Sequence, residues 1–453
     1  MALRRLLLSC FGDDSNKARV IVGVDDKFES SESISVSVKD EKPYTSRAQS
    51  SSSIEPVPIC KRRGTTRALC VVAKHTYGLA SDIPYPSINT PDEIMIRTVS
   101  VSIRMGTNLG RGRHASQEHR KSFALEQRVI EACLFVNGPT SETNANSDTH
   151  HLQTSLNPID YKSVDYNFCM PSFPWIGGRE VAGTVEEVGS NVRAFKVGDR
   201  VWASTYYKDR RAGTFQEFCV VPQHTVLPLP ARLDFNAGAC LGVAALTAAM
   251  TLWKWLAVEM PSAQPKTAAA PPRHILIWGG STVTGQFAIQ FAHRSGLSVI
   301  AVTSAKTRCL AERLGAAHTI TRDHKTNDEI VAEARAITGD DLTMAIDIVG
   351  NTTGASCLQA LSVTKASTLA PLAFLKDGEQ IPESVTIAPI EMKRFIIEEG
   401  NRKYAEELNR LVGDGSISIP EIEVLHGLER IEEGLEMVKR GDMNGQKLVV
   451  RVA

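Results

Sequence analysis

Apolar and polar positions alternate over short runs in the part of the chain from Arg67 to Pro230. The runs "RALCVVAK", "DEIMIRTVSVSI", "REVAGTVEEVG", "DRVWAS" and "TFQEFCVV" are rich in β-branched residues and are separated by glycine and proline. This pattern is typical of half-buried strands joined by turns. Several short strands with such frequent punctuation predict a small β-barrel-like domain.

The period of the pattern changes after Pro230. The stretch "LDFNAGACLGVAALTAAMTLWKWLAV" predicts an apolar helix, and from His274 onwards strands and helices alternate. The strands "HILIW", "LSVIAVTS", "HTIT" and "MAIDIVG" are separated by the helices "GQFAIQFAHRSG", "KTRCLAERLGA" and "NDEIVAEARAITG". This alternation predicts a parallel sheet covered by helices on both faces. The predicted fold class is therefore α/β, with a β-barrel domain and a doubly wound parallel sheet.

Two polar segments break this pattern. Residues 1–65 are rich in Ser, Lys, Arg and Asp and include "SRAQSSSSIEP", which predicts a disordered extension. Residues from about 103 to 154 are also polar, apart from one possible short helix, "FALEQRVIEACLF". This second segment separates the strand "DEIMIRTVSVSI" from the proline turn in "LNPIDYK", so it interrupts an otherwise ordered region.

Charge and composition narrow the classes of function. Lys and Arg together number 51, as do Asp and Glu, and a zero net charge argues against a bulk binder of nucleic acid or membrane surfaces. No uninterrupted apolar run reaches the ~18 residues of a membrane span. The start "MALRRLLLSCFGDD" lacks the features of a signal peptide, although a mitochondrial presequence stays open. We therefore expect a cytoplasmic protein without nucleic-acid or membrane partners.

Glycines in "HILIWGGSTVTGQFAIQFA" lie between a predicted buried strand and a helix, where the backbone can approach a pyrophosphate at the helix N-terminus. The spacing differs from G-x-G-x-x-G, so a plain strand-turn-helix without a ligand is the alternative. Its place in the first β-α-β unit of the series favours a dinucleotide site. The candidate cofactor-binding residues here are Gly279, Gly280, Ser281, Thr282, Val283 and Thr284.

The end of the second strand of this series, in "IAVTSAKTR", bears on the choice of cofactor. An NAD site usually has Asp or Glu here for the ribose hydroxyls, whereas this chain has Ser304, Lys306 and Arg308. These side chains suit a 2′-phosphate, so we predict NADPH as the cofactor. The alternative is that Lys306 and Arg308 are simply solvated at a helix start.

A series of segments between Arg67 and Ala453 resembles the zinc-free medium-chain dehydrogenases/reductases. In order they are "DEIMIRTVSVS", "LNPIDYK", "REVAGTVEEVGSNVRAFKVGDRV", "LTAAMTLW", "WGGSTVTGQFAIQFA", "TSAKT", "AIDIVGN" and "GLERIEEGLEMVKRGDMNGQKLVVRV". Within that superfamily the chain is most similar to the stand-alone, trans-acting enoyl reductases that partner fungal polyketide synthases. The domains that this implies are a GroES-like domain at 66–240 with the atypical insertion at about 103–154, a Rossmann domain at 241–375, and a segment at 376–453 that completes the catalytic domain.

The resemblance also bears on metal binding. Zinc alcohol dehydrogenases of this superfamily have a cysteine where this chain has Asn157 and a histidine where it has Arg179. Neither replacement is an ordinary zinc ligand. The four-cysteine structural zinc loop is missing too, and the nine scattered cysteines include no C-x-x-C pair. We therefore expect no metal.

The chemistry of such a reductase indicates which side chains to look for. Hydride transfer to the β-carbon of an α,β-unsaturated thioester leaves an enolate, whose oxygen must be stabilised and whose α-carbon must be protonated. The resemblance points to Lys162 and Thr247 at the cofactor–substrate junction, and Tyr161 is a conceivable proton donor. A surface role for Lys162 and a packing role for Thr247 are the alternatives. The residues that the resemblance places beside the nicotinamide are Ile348, Val349 and Gly350.

The predicted function is reduction of an enoyl thioester on the carrier domain of a polyketide synthase, by a zinc-independent enzyme. A free-standing quinone or enone reductase and a non-catalytic NADPH-binding protein are the alternatives. The family pattern runs almost directly from "RTVSVS" into "LNPIDYK". The block at 103–154 is therefore either a functional insertion or, in our preferred interpretation, translated intron or a mis-joined gene model.

Overall fold

The computed structural model describes residues 64–97, 153–167, 170–205, 209–261, 273–373, 375–441 and 443–452. The predictions of a disordered extension at 1–65 and of an insertion at about 103–154 fall almost wholly outside these residues. Apart from Gly64, the described residues belong to one compact unit, Thr65–Ala453. Within it, short strands form a β-domain and a parallel sheet forms a second domain.

The β-domain is built of short strands, as the sequence pattern predicts. The pattern does not predict β2, because most of its residues are exposed and its alternation is weak. The strands are β1 (Thr65–Ala73), β2 (Thr76–Pro84), β3 (Glu93–Arg97), β4 (Gln153–Ser155), β5 (Trp175–Ile176), β6 (Glu180–Val188), β7 (Arg200–Ser204), β8 (Phe218–Pro222) and β9 (Val226–Pro228).

In the described part of the chain, the second domain and the C-terminal region supply eight more strands. The parallel sheet has the order β12-β11-β10-β13-β14-β15. The last two strands, β16 and β17, instead join the β-domain, whose main sheet has the order β16-β17-β4-β6-β3-β8. The strands are β10 (His274–Trp278), β11 (Ser298–Thr303), β12 (His318–Thr321), β13 (Leu342–Asp347), β14 (Ser367–Pro371), β15 (Val385–Ile387), β16 (Ile422–His426) and β17 (Lys447–Arg451).

Helices cover both faces of the parallel sheet. Along β10, Ile275 and Ile277 enter one apolar cluster, and Leu276 and Trp278 enter another. Since successive side chains of a strand point to opposite faces, each face has its own core. The helices are α1 (Pro158–Asp165), α2 (Phe235–Trp255), α3 (Val283–Arg294), α4 (Arg308–Arg313), α5 (Asn327–Thr338), α6 (Asn351–Ala360), α7 (Lys393–Ile397), α8 (Arg402–Gly413) and α9 (Ile431–Arg440).

Two predicted boundaries need correction. The Rossmann domain was expected to end at 375, but β15 pairs in parallel with β14 and so belongs to the same sheet. A three-residue strand after the turn-rich "DGEQIPES" leaves almost no pattern in the sequence. The insertion was expected to end at about 154, but the last two residues of that range, Gln153 and Thr154, pair with β6.

Helix α2 is the core helix of the described unit. By length and composition alone it is the one described helix that could cross a membrane, with a mean hydropathy of 1.5 in its most apolar window. No uninterrupted apolar run in the sequence had indicated a segment with this property. However, 78% of that window is buried inside the molecule. Its apolar composition is thus explained by packing against the strands and against α3 and α8.

Candidate active site

Helix α1 carries Lys162 and begins at a proline turn. Pro158 occupies the first helical position, where the missing N–H costs nothing. The carboxylate of Asp160 accepts a hydrogen bond from the N–H of Asn157 at 2.9 Å, which secures the start of the helix. Lys162 follows and is half-buried; within the described part of the chain its ammonium has no hydrogen-bond or ion-pair partner. That ammonium is therefore available to a ligand.

Tyr161, the candidate proton donor, makes different contacts. It packs against the apolar core of the β-domain, and its ring centroid lies 6.0 Å from the ammonium of Lys439 in α9. Burial raises the pKa of Tyr161 above its usual value. A raised pKa makes the phenol a weaker acid, so the role of proton donor stays a prediction.

A buried network joins α1 to three other elements. Lys447 of β17 is only 3% exposed, and its ammonium donates to the Asn157 side-chain oxygen at 2.6 Å and to the Glu180 carboxylate at 3.0 Å. Glu180, at the start of β6, also accepts from the Asn157 side-chain amide at 2.7 Å. Its second oxygen accepts from the N–H of Val243 in α2 at 2.6 Å. Neither Glu180 nor Lys447 was predicted from the sequence as a site residue.

The two positions that correspond to zinc ligands are both engaged with other protein groups. Arg179 donates to the hydroxyl of Ser163 at 2.7 Å, and its Nε lies 3.8 Å from the carboxylate of Asp160. Burial raises the pKa of Asp160 to about 6, against the opposing effect of Arg179. One position carries the amide of Asn157, with the Lys447 ammonium 2.6 Å away, and the other carries the guanidinium of Arg179. These groups are not a donor set for zinc. Among the described residues no group of three or more His, Cys, Asp or Glu could hold a metal.

Thr247 lies on the less buried strip of α2. Leu246 and Ala248 on either side of it are buried, whereas Thr247 is half-buried. Val243, four residues earlier and therefore on the same face, is half-buried too and is the residue held by Glu180. Glu180 thus connects α1, which carries Lys162, to the face of α2 that carries Thr247.

The glycine-rich loop between β10 and α3 is closely packed and open at one side. Gly279 has φ +96°, and a Cβ there would lie 2.9 Å from the side chain of Val349. A Cβ on Gly285 would lie 2.2 Å from the carbonyl oxygen of Gly279. Thr282 caps α3 by accepting from the N–H of Gly285 at 3.0 Å. Residues 281–284 are all half-buried, so the N-terminus of the 12-residue helix α3 is accessible to an anion.

Residues that follow β11 lie next to this loop. The N–H groups of Gly279 and Gly280 both donate to the Val302 carbonyl, at 3.2 and 2.9 Å, which joins the loop to the end of β11. Just beyond, Ser304 starts a short 3₁₀ turn and Lys306 is exposed on it. Arg308 is also exposed, and its guanidinium donates to Glu312 on the next turn of α4 at 2.8 Å.

Residues that follow β13 reach the loop from the opposite side. The N–H of Ile348 donates to the carbonyl of Trp278 at 3.0 Å, and Val349 is 53% exposed beside Gly279. The buried carboxylate of Asp347 accepts from the hydroxyl of Thr353 at 2.7 Å, which holds the turn and is consistent with a structural role. The carboxyl ends of β11, β10 and β13 therefore bring together all the predicted cofactor-binding segments at the point where the strand order reverses.

A turn before β17 also reaches the glycine-rich loop, although nothing in the sequence had been taken to predict this contact. The side-chain amide of Gln286 donates to the carbonyls of Ser281 and Gly445 at 3.0 and 2.6 Å. The ammonium of Lys306 donates to the Asn444 side-chain oxygen at 2.8 Å. The dipeptide "NG" in "DMNGQK" was the available signal, since Asn444 and Gly445 both have positive φ.

Comparison with known proteins identifies the family. Residues 150–231 match the profile of the alcohol dehydrogenase GroES-like domain, and residues 284–406 match that of the zinc-binding dehydrogenases. A parallel sheet whose strand order reverses beside a glycine-rich loop is the arrangement of the dinucleotide-binding α/β folds. The chain belongs to the medium-chain dehydrogenase/reductase family of oxidoreductases, and its relatives include fungal trans-enoyl reductases.

Individual relatives support this assignment. The trans-enoyl reductase himH of Aspergillus japonicus is 30% identical over 307 residues, which cover 66% of this chain and 87% of that protein. The trans-enoyl reductase iccB of Talaromyces variabilis is 29% identical over 334 residues, with the same coverage of both chains.

Solved structures of the same fold agree with the architecture. The CurK enoyl reductase superposes with a TM-score of 0.63 at 16% identity, covering 86% of this chain and all of that one (100%). The quinone oxidoreductase of Escherichia coli, solved with NADPH, gives a TM-score of 0.60 at 16% identity, covering 85% of this chain and 99% of that one. These likenesses confirm the predicted GroES-like and Rossmann domains.

Proposed function

We propose that this protein is an NADPH-dependent, zinc-independent enoyl reductase that acts in trans on α,β-unsaturated thioesters carried by a fungal polyketide synthase. The observation that carries the proposal is the ammonium of Lys162, which no described residue engages, on a helix that Glu180 links to the face of α2 that carries Thr247. The relatives named trans-enoyl reductases, matched over 87% of their length, support the substrate class.

The cofactor fits the loops at the carboxyl edge of the parallel sheet. The N–H groups at residues 281–284 would hold the pyrophosphate, because a helix N-terminus favours anions. Ser304 and Lys306 would hold the 2′-phosphate, and Arg308 could join them by leaving Glu312. Ile348, Val349 and Gly350 would lie against the nicotinamide. When bound, NADPH supplies the hydride.

The protein's own groups stabilise the charge that this transfer creates. The hydride goes to the β-carbon, the double bond shifts, and negative charge develops on the thioester oxygen. The Lys162 ammonium and the Thr247 hydroxyl donate to that oxygen, which lowers the energy of the enolate without a metal. A proton must then reach the α-carbon, from Tyr161 or from water.

Turnover by the purified full-length chain tests the proposal. The loss of reduced nicotinamide is followed with crotonyl thioester as substrate, free and loaded on a carrier domain. We expect NADPH-dependent loss that requires the double bond, with butyryl thioester as the inert control. Turnover of a quinone but not of the thioester would overturn the proposal in favour of a quinone reductase. NADPH binding without turnover of any acceptor would favour a non-catalytic protein.

A further inference from the structure

Glu180 and Lys447 form a buried ion pair that the chemistry proposed above does not use. Lys447 is 3% exposed, and its Glu180 partner is fully buried. The Lys447 ammonium donates to three protein acceptors, which are Glu180, Asn157 and, at 3.1 Å, the Leu156 carbonyl. A buried charge of this kind is costly to remove from water, and a well-packed apolar pair would often serve the fold equally well.

The bonds of this pair meet at the side chain of Asn157. The Lys447 ammonium donates to the Asn157 side-chain oxygen at 2.6 Å, and the Glu180 carboxylate accepts from the Asn157 side-chain nitrogen at 2.7 Å. Asn157 directly precedes α1, so these bonds fix the starting point of the helix that carries Lys162.

The other end of the pair fixes α2. Val243, whose N–H donates to Glu180, lies in a turn of π-helix at Leu241–Ala245. Such turns interrupt the regular helical bonds and often mark functional sites. Close packing reinforces the bond, because a Cβ on Gly242 would lie 2.8 Å from the Cβ of Glu180. The carboxylate therefore sets the position of Thr247, four residues along the same face.

We propose that the Lys447–Glu180 pair is the positioning element of the active site, which fixes α1 and α2 relative to each other so that Lys162 and Thr247 converge on one substrate oxygen. The proposal rests on the enoyl-reductase function. It makes Asn157, Glu180 and Lys447 positioning residues, which act through Lys162 and Thr247 and touch neither substrate nor cofactor. A displacement of about 1 Å at such a site can lower turnover about a hundredfold.

Two variants of the full-length chain test the pair. Asn157→Ala disconnects α1 and leaves the ion pair intact. The double variant Glu180→Gln with Lys447→Met removes both charges together, so that neither remains buried without a partner. Leu358→Ala, in α6 on the far face of the parallel sheet, is the control for lost stability alone. Each protein is measured for melting temperature, turnover at saturating NADPH, NADPH affinity, and deuterium exchange of the α1 amides.

We expect turnover to fall at least about tenfold in both variants, with NADPH affinity unchanged within about twofold, because the cofactor loop lies outside the network. The α1 amides should exchange faster than in the parent chain, whereas Leu358→Ala should keep both its turnover and its α1 exchange. Variants that match the control in turnover and exchange would overturn the proposal. If the parent chain turned over no enoyl thioester, the proposed function would fail, and the α1 exchange would still decide the positioning role. If the double variant did not fold, Asn157→Ala would supply both readouts.

Discussion

Arg97 at the end of β3 and Gln153 at the start of β4 are far apart in the chain but nearly adjacent in the sheet. Arg97 pairs with Thr184 of β6, and Gln153 pairs with Ala182. Because β7 occupies the other edge of β6 along this stretch, β3 and β4 share one edge. Only the position opposite Gly183 lies between them. In the sheet, β3 and β4 therefore occupy the positions of one continuous strand, which the chain interrupts after Arg97.

This relationship predicts that the interrupting block can be removed. Deleting residues 99–152 leaves Thr98 opposite Gly183 and joins β3 directly to β4. We expect the shortened chain to fold with an equal or higher melting temperature and to turn over enoyl thioester at least as fast as the full chain. The reason is that every described strand pairing is kept and that bringing β3 and β4 together costs less entropy when they are close in the chain.

Thermal unfolding and turnover of the two chains check this, together with the sequence of the transcript. As a matched control, deleting 99–155 also removes β4 and should abolish folding or lower the melting temperature sharply. A shortened chain that folds but loses the activity of the full chain would instead make the block a functional insertion.

Replacement of Lys162 tests the polarising group. Lys162→Met keeps the length and the apolar stem of the side chain but removes its ammonium. We expect kcat/KM for the enoyl thioester to fall by roughly a hundredfold, as for loss of one donor to a developing oxyanion. The NADPH dissociation constant should change little. Lys196→Met, at an exposed turn of the β-domain, is the control and should behave as the parent. Unchanged turnover in Lys162→Met would return Lys162 to a surface role.

Replacement of Lys306 tests the choice of cofactor. A charge-assisted hydrogen bond contributes about 1.5–3 kcal/mol, so Lys306→Ala should weaken NADPH binding by about ten- to a hundredfold. NADH binding should be nearly unchanged, because it has no 2′-phosphate. Arg313→Ala, an exposed position further along α4, is the control. Arg308→Ala tested beside them decides whether that residue leaves Glu312 for the cofactor. Equal losses for NADPH and NADH would contradict a 2′-phosphate role for Lys306.

Two glycines distinguish the effect of backbone strain from the effect of a steric contact at the glycine-rich loop. Gly279 and Gly296 both have positive φ, but a Cβ on Gly279 meets Val349 at 2.9 Å while one on Gly296 meets nothing within 4 Å. Either Gly→Ala change should cost about 1–2 kcal/mol of unfolding free energy in denaturant titrations. We expect only Gly279→Ala to lower NADPH affinity as well, because Val349 must move. Equal NADPH affinity in the two variants would exclude a close fit at this loop.

Local pattern was sufficient for most of the fold and for the loops at the carboxyl edge of the parallel sheet, and tertiary contacts account for the rest. The loops after β10, β11 and β13 were predictable because parallel strands align their carboxyl ends wherever β-α-β units repeat. Glu180 and Lys447 were not, since their bond links positions 267 apart and neither residue has a local signal. From the segment "NGQKLVV" alone, Lys447 is predicted only as the first residue of a strand. Its ammonium is buried beside Asn157 because the strands of the folded sheet bring the two residues together. The block after Arg97 was recognised from its polar composition and because the family pattern continues beyond it.

The buried carboxyl of Asp160 predicts how stability depends on pH. Burial raises its pKa from about 3.8 to about 6, against Arg179, the Asn157 N–H and Lys447, which all favour the charged form. Between those two values the folded state binds more protons than the unfolded state, so this group makes stability fall as pH rises. Above about pH 6 the loss of stability is complete, at roughly 2–3 kcal/mol.

Asp160→Asn removes the titration of this carboxyl while keeping an oxygen that can accept from the N–H of Asn157. The unfolding free energy of this variant relative to the parent should therefore rise by a similar amount between about pH 4 and pH 7, measured by urea titration. A difference between the two proteins that does not change with pH would mean that Asp160 is charged throughout and is held by Arg179.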